Sequence, residues 1–197
     1  MDLRIVIPVK PFAEAKQRLA PLLNAQERAQ LARDFFRHVF ATTLGFARAP
    51  SVIVVSRDAE ILSFAEAGGA IGLAEDQRSG LNAALAQAAE FARREGASRL
   101  LIVASDLPLL SRSDLEAMSA AECAIGPDRR GIGTNALLWP AGPEPGFHFG
   151  DNSFARHSAA AKAAGSDPQR IVRPGLACDI DLPDDLLDWR RTSCSAL

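Results

Sequence analysis

Three short runs of β-branched and leucine residues constrain this chain most: RIVIPV at residues 4–9, SVIVV at 51–55 and RLLIVA at 99–104. Each is nearly continuous in Ile, Val and Leu, with none of the polar alternation of a half-exposed strand. Such a run forms a strand only where both faces of its sheet are covered. Weaker strands are expected at residues 70–73, 123–126, 136–139 and 171–173. The stretches between the runs have helical periodicity. The clearest spans residues 25–47, with Asn24 as N-cap and Glu27 placed to complete a capping box. Its apolar rows, Leu31–Phe35–Val39 and Phe36–Phe40–Leu44, recur every four residues and suit a helix lying on a sheet. Helices are also expected over 81–95 and 153–164, each followed by a glycine suited to a left-handed cap, Gly96 and Gly165. A short closing helix is expected over 184–190. Strands alternating with helices predict an α/β fold of three layers, α/β/α, with a mostly parallel mixed sheet. A length of 197 residues allows one such domain, assigned to residues 1–191 with 192–197 as a tail, and not two.

In folds of this kind ligands sit beyond the carboxyl ends of the strands. That directs attention to residues 8–19, 75–82, 105–108 and 128–135, where polar residues and glycines gather. Several chemistries are excluded by what these segments lack. No G-x-G-x-x-G follows the first strand, no G-x-x-x-x-G-K-[ST] occurs, and there is no G-x-S-x-G elbow. A formal charge of −2, from 22 basic and 24 acidic residues, argues against nucleic acid and leaves small anions as the expected ligands. Cys123, Cys178 and Cys194 are far apart and share no metal-ligand spacing, so ordinary thiols in a reducing compartment are expected. No window is long and apolar enough for a signal core or a membrane span, and a cytoplasmic protein without membrane contact is expected.

The candidate residues follow the strand ends. Pro8, Lys10, Lys16 and Arg18 form a basic loop after the first strand, suited to phosphates or equally to plain solvation. Asp106 ends a buried strand and is held by Pro108, a position suited to Mg²⁺, which takes one or two protein carboxylates; its other reading is an Asx-turn or a helix cap. Asp179 and Asp181 fall on one face of an extended segment, so either can supply a second ligand, although Asp181 also suits the cap of the last helix. Leu81 and Asn82 open a helix, and the Asn82 amide can read a base edge. Thr134 follows a Gly-rich turn. Gly150 and Ser153 lead into a helix whose N–H groups attract anions, Ser153 also being an ordinary N-cap residue. His157, one turn further on, reads as structural.

The segments PVKPFAEAKQRL, SGLNAAL, ASDLPLL, PDRRGIGTNALL, FGDNSFARH and DIDLPDDL, in that order, resemble the guanylyltransferases of deazaflavin-coenzyme biosynthesis. The likeness runs from about residue 4 to 189. It implies a nucleotidyltransferase fold, nucleotide-diphospho-sugar-transferase-like, and transfer of GMP from GTP to 2-phospho-L-lactate, phosphoenolpyruvate or 3-phospho-D-glycerate. By similarity, Asp106 and one of the Asp179/Asp181 pair hold Mg²⁺, and Lys16 and Arg18 face phosphates. Leu81 and Asn82 lie by the guanine and ribose, and Thr134, Gly150 and Ser153 take the acid. Gln17, Ala104 and Asn152 depart from the family pattern. Two other readings share some of these features: a molybdenum-cofactor guanylyl- or cytidylyltransferase, and a relative that binds GTP without turning it over.

Overall fold

A computed structural model describes residues 2–76, 80–141 and 146–194, with side chains to 191. Seven strands form one mixed sheet: β1 (Leu3–Pro8), β2 (Val52–Ser56), β3 (Ile71–Ala74), β4 (Arg99–Val103), β5 (Ala124–Pro127), β6 (Thr134–Pro140) and β7 (Gln169–Arg170). Their order is β3-β2-β1-β4-β6-β5-β7, and β6 runs antiparallel to both β4 and β5. The helices are α1 (Ala25–Phe46), α2 (Ala59–Ala67), α3 (Leu81–Arg94), α4 (Arg112–Ser119), α5 (Ser153–Ala163), α6 (Pro174–Ala177) and α7 (Pro183–Cys194).

The two-sided burial read from the strand runs is what forms the layers. Ile5, Ile7, Val52, Val54, Leu101 and Val103 face α1, α2, α4 and α6. The intervening Val6, Ile53, Val55, Leu100 and Ile102 face α3, whose alanine-rich side permits close approach, and α5. A third, smaller cluster joins Leu19 and Leu23 to Phe35 of α1 and to Ile180 and Leu186 near the C-terminus. It clamps the loop after β1 against the segment before α7.

Helix ends follow local chemistry. Asn24 and Glu27 form the full capping box, with the Glu27 N–H on Asn24 Oδ1 at 3.0 Å and the Asn24 N–H on Glu27 Oε2 at 2.7 Å. Gly96 and Gly165 adopt φ of 80°, the left-handed exit expected of them.

Three details differ from the sequence reading. The last strand is Gln169–Arg170 and not residues 171–173: Ile171 N–H still bonds Ile125 C=O, but Pro174 then opens α6 and Val172 is exposed. α2, α4 and α6 lie outside the helices expected, although Asp58 caps α2 and Ser111 with Asp114 forms a capping box at α4. α7 runs to Cys194, three residues into the segment assigned to a tail, and residues 195–197 lie outside those described.

The strand order reverses between β1 and β4, the place where sheets of this kind leave a crevice beyond the carboxyl ends of their strands. Antiparallel β6 starts at the same edge, Val103 pairing with Ala136, so Thr134 and Asn135 arrive beside the end of β4.

Candidate active site

At this crevice the Lys16 ammonium stands between two carboxylates, 2.5 Å from Asp106 Oδ2 and 2.8 Å from Asp181 Oδ1. Lys16 sits between two 3₁₀ turns with φ 54° and ψ 34°, a left-handed conformation costly to a residue with a Cβ. That turn carries its side chain inward, and Leu19 in the third cluster anchors it. Burial opposes the charge on Lys16, but Asp106 and Asp181 outweigh it and hold the ammonium well above its ordinary range. Burial works against ionised Asp181 too, and Lys16, then Arg18 and Lys10, outweigh it, keeping the carboxyl below the usual range. Both capping readings fall away here: Asp106 and Asp181 bond Lys16, while Ser111 caps α4 and Leu182 C=O accepts the Leu186 N–H at the start of α7.

Asp179 completes the group. Its Oδ1 accepts from Asn135 Nδ2 at 3.0 Å, and the same amide donates to Leu176 C=O at 3.0 Å. Burial raises the Asp179 carboxyl to about 6; the Asn135 bond opposes this and the neighbouring Asp106 and Asp181 add to it. The 179–181 segment is fixed from behind by buried Asp185. Its Oδ2 accepts the N–H groups of Asp181 and Leu182 at 3.0 and 2.8 Å, and its Oδ1 pairs with Arg129 and Arg130.

A second group lines the start of β6 and of α5. Thr134 Oγ1 lies 3.1 Å from His157 Nδ1, and His157 Nε2 accepts the His148 N–H at 2.9 Å. Gly150 has φ 118°, which L side chains rarely adopt. Asn152 takes the left-handed conformation and stands at the N-cap of α5 without a side-chain cap bond, so Ser153 is the first helical residue and not the cap. Ser153 is buried, and no hydrogen bond engages its hydroxyl among the described residues.

The structure thus brings Lys16, Asp106 and Asp181 into direct contact with Asp179 nearby, Lys10 and Arg18 being exposed on the same loop and Pro8 ending β1. Thr134, Gly150 and Ser153 gather around the start of α5. Leu81 is exposed at the first turn of α3, and Ser79 beside it lies outside the described residues. Asn82 differs from expectation: its amide does not stand open to a base edge but pairs with the Phe149 backbone, accepting its N–H at 2.8 Å and donating to its C=O at 3.1 Å. Lys16 likewise holds carboxylates instead of standing free for a phosphate. Asn135, Asp185 and His157 carry contacts that the sequence did not assign. A polar Asn within a strand buried from Thr134 to Trp139 is a signal that could have marked the first. Cys123 is buried, its thiol pushed up to about 11 by burial first and Asp167 second, which makes it a poor nucleophile.

The chain matches the family described as guanylyl transferase CofC like over residues 3–189. It belongs to that family. Relatives named phosphoenolpyruvate guanylyltransferase include one from Roseiflexus castenholzii, 43% identical over 188 residues, covering 95% of this chain and 87% of the relative. The one from Sphaerobacter thermophilus is 40% identical, with 92% and 89% covered, and the one from Chloroflexus aurantiacus is 32% identical, with 97% and 96% covered. Among solved structures, a protein of Desulfovibrio desulfuricans assigned to the nucleotide-diphospho-sugar transferases superposes with TM-score 0.78 at 19% identity, covering 97% of this chain and 87% of the other. A nucleotidyl transferase from Methanothermobacter thermautotrophicus gives 0.64 at 18%, with 99% of each chain covered. At such identities these two show the fold. The CofC-like chain is therefore an enzyme, a guanylyltransferase taking a guanine nucleotide and a small acid, and the molybdenum-cofactor and non-catalytic readings fall away. No helix among its described residues is long and apolar enough to cross a membrane.

Proposed function

We propose that this guanylyltransferase moves GMP from GTP to phosphoenolpyruvate, in a Mg²⁺-dependent reaction held by the Lys16–Asp106–Asp179–Asp181 group. The observation carrying the reading is that group's charge. Two carboxylates, Asp106 and Asp181, flank a single ammonium at the reversal of strand order, and Asp179, near both of them, is pushed up to about 6 by burial and by these acidic neighbours. The excess of negative charge and the all-oxygen donor set suit a hard divalent cation. Asp106 and Asp181, with Asp179 beside them, would hold Mg²⁺, which when bound neutralises charge on the nucleotide phosphates.

The transfer needs no side-chain nucleophile. A phosphomonoester has a second pKa of about 6, so near neutral pH it is largely a dianion. One of its oxygens attacks the α-phosphorus of GTP, a P–O bond forms, the bond to the bridging oxygen breaks, and pyrophosphate leaves with the electron pair. The chain's contribution is placement and charge. Lys10 and Arg18, exposed on the loop after β1, face the phosphates, and Lys16 orients Asp106 and Asp181. Leu81 and Asn82 border the nucleoside. Thr134 and Ser153 offer hydroxyls to the acid, with the Gly150 backbone close behind.

Phosphoenolpyruvate is favoured among the three acids by the relatives, named phosphoenolpyruvate guanylyltransferase at 32% to 43% identity over nearly the whole chain. The test is pyrophosphate release with GTP, Mg²⁺ and each acid supplied singly, with ATP and CTP as nucleotide controls. Release with GTP and phosphoenolpyruvate is expected. Release only with 2-phospholactate or 3-phosphoglycerate would overturn the acceptor, and silence with all three would overturn the reading.

A further inference from the structure

His157 holds none of the roles assigned above, yet it is fully buried and both of its ring nitrogens are engaged. Trp139, His148 and Phe149 enclose the ring, with centroids 6.1, 5.8 and 4.8 Å away. A backbone N–H can only donate, so Nε2, 2.9 Å from the His148 nitrogen, must present its lone pair. A neutral imidazole with an accepting Nε2 carries its hydrogen on Nδ1. Burial, followed by the neighbouring His148 and Arg156, keeps the ring neutral, and the Ser153 carbonyl opposes them weakly.

This tautomer fixes the polarity of Thr134. Nδ1–H faces Thr134 Oγ1 at 3.1 Å, so the threonine hydroxyl has no lone pair on Nδ1 to donate to. Its own hydrogen is left for another acceptor, and an anion is the matching partner. The other nitrogen reaches the opposite half. His148 precedes Phe149, whose N–H and C=O both pair with the Asn82 amide at the start of α3. One imidazole therefore ties Thr134 to Asn82, two residues that are 52 apart in sequence and, among the described residues, joined by no hydrogen bond of their own.

We propose that His157 is a positioning residue for the transfer. Its Nδ1–H makes Thr134 a donor toward the acceptor anion, and its Nε2 sets the backbone that holds Asn82 at the nucleotide. The inference rests on the reading of Thr134 as an acid contact and of Asn82 as a nucleotide neighbour.

Two amides separate the nitrogens. Asparagine places its amide near the position of Nδ1, and glutamine places its own near Nε2. His157→Asn keeps a donor for Thr134 and loses the bond to His148. His157→Gln keeps an acceptor for His148 and loses the donor. With GTP, phosphoenolpyruvate and Mg²⁺, His157→Gln is expected to raise the KM of the acid about fivefold, with the KM of GTP within about twofold. His157→Asn should show the reverse. Thr134→Val should raise the acid KM alone, and should add less than about twofold to His157→Gln. If His157→Gln and His157→Asn shift both KM values together, or Thr134→Val adds its full effect to His157→Gln, the inference is overturned and the acid site stands. If Thr134→Val leaves the acid KM unchanged in the wild-type background, the acid reading fails and takes the inference with it. Nitrogen NMR of ¹⁵N-histidine-labelled wild-type protein reads the tautomer without any variant. Nδ1 protonated and Nε2 bare is expected near pH 7, and a protonated Nε2 would overturn the inference.

Discussion

Lys16 is the residue on which the site's charge turns. Its ammonium balances Asp106 and Asp181 and stands where the proposed divalent cation would compete with it. Lys16→Met should therefore lose turnover while gaining a larger Mg²⁺-dependent rise in Tm than the wild type, since the carboxylates then have only the metal to bind. Equal rises in the two proteins would count against Asp106 and Asp181 as ligands. Ser153, buried with its hydroxyl uncommitted among the described residues, is proposed for the acid half. Ser153→Ala should weaken acid binding more than GTP binding, read as separate KM values. His157 gives a signed pH effect. Burial, His148 and Arg156 push its ring from 6.5 down to about 4. Between those values the unfolded chain binds a proton that the folded chain does not, so stability falls as pH drops through that window. Relative to His157→Gln, the wild type should lose about 2 kcal/mol of unfolding free energy between pH 7 and pH 5 in urea titrations. A flat difference curve would mean that the ring titrates normally.

The elements that carry these residues differ in how openly the sequence announces them. β1, β2 and β4 are legible because two-sided burial leaves an unbroken apolar run. α1, α3 and α5 are legible because their caps and exit glycines are local signals. α2 and α4, at nine and eight residues, show too few turns for their period to stand out, and β7 is a two-residue edge strand defined by its pairing with β5. The same contrast holds in the site. Asp106 is legible because a strand end and a proline turn place it. Asn135 gains its role from Asp179, Asp185 from Arg129 and Arg130, and His157 from Thr134 and His148, contacts that no local spacing encodes. The cluster of Leu19, Phe35 and Ile180 makes the juxtaposition of Lys16 and Asp181 possible. Ile180→Ala should cost about 2–5 kcal/mol of stability and lower turnover beyond what the folded fraction explains. Unchanged activity per folded molecule would show that the clamp is not needed to align the carboxylates.

Across the whole molecule, one topological feature joins the two halves of the reaction. Parallel strands β1 and β4 open the crevice at their carboxyl ends, and the single antiparallel strand β6 brings Thr134 and Asn135 to that same edge. The Thr134 group and the carboxylate group are thereby neighbours on one sheet, and in the proposed reading it is the side chains at that edge that give the fold shared with distant nucleotidyltransferases its guanylyl transfer. Asp106, at the end of β4, stands at the meeting point. Single-turnover transfer by Asp106→Asn at ordinary Mg²⁺, with Tm measured on the same preparation, tests this arrangement. The expected result is a fall of about 10²-fold or more with the fold intact. Near-wild-type rates in a folded Asp106→Asn protein would contradict the placement of the transfer at this carboxylate group.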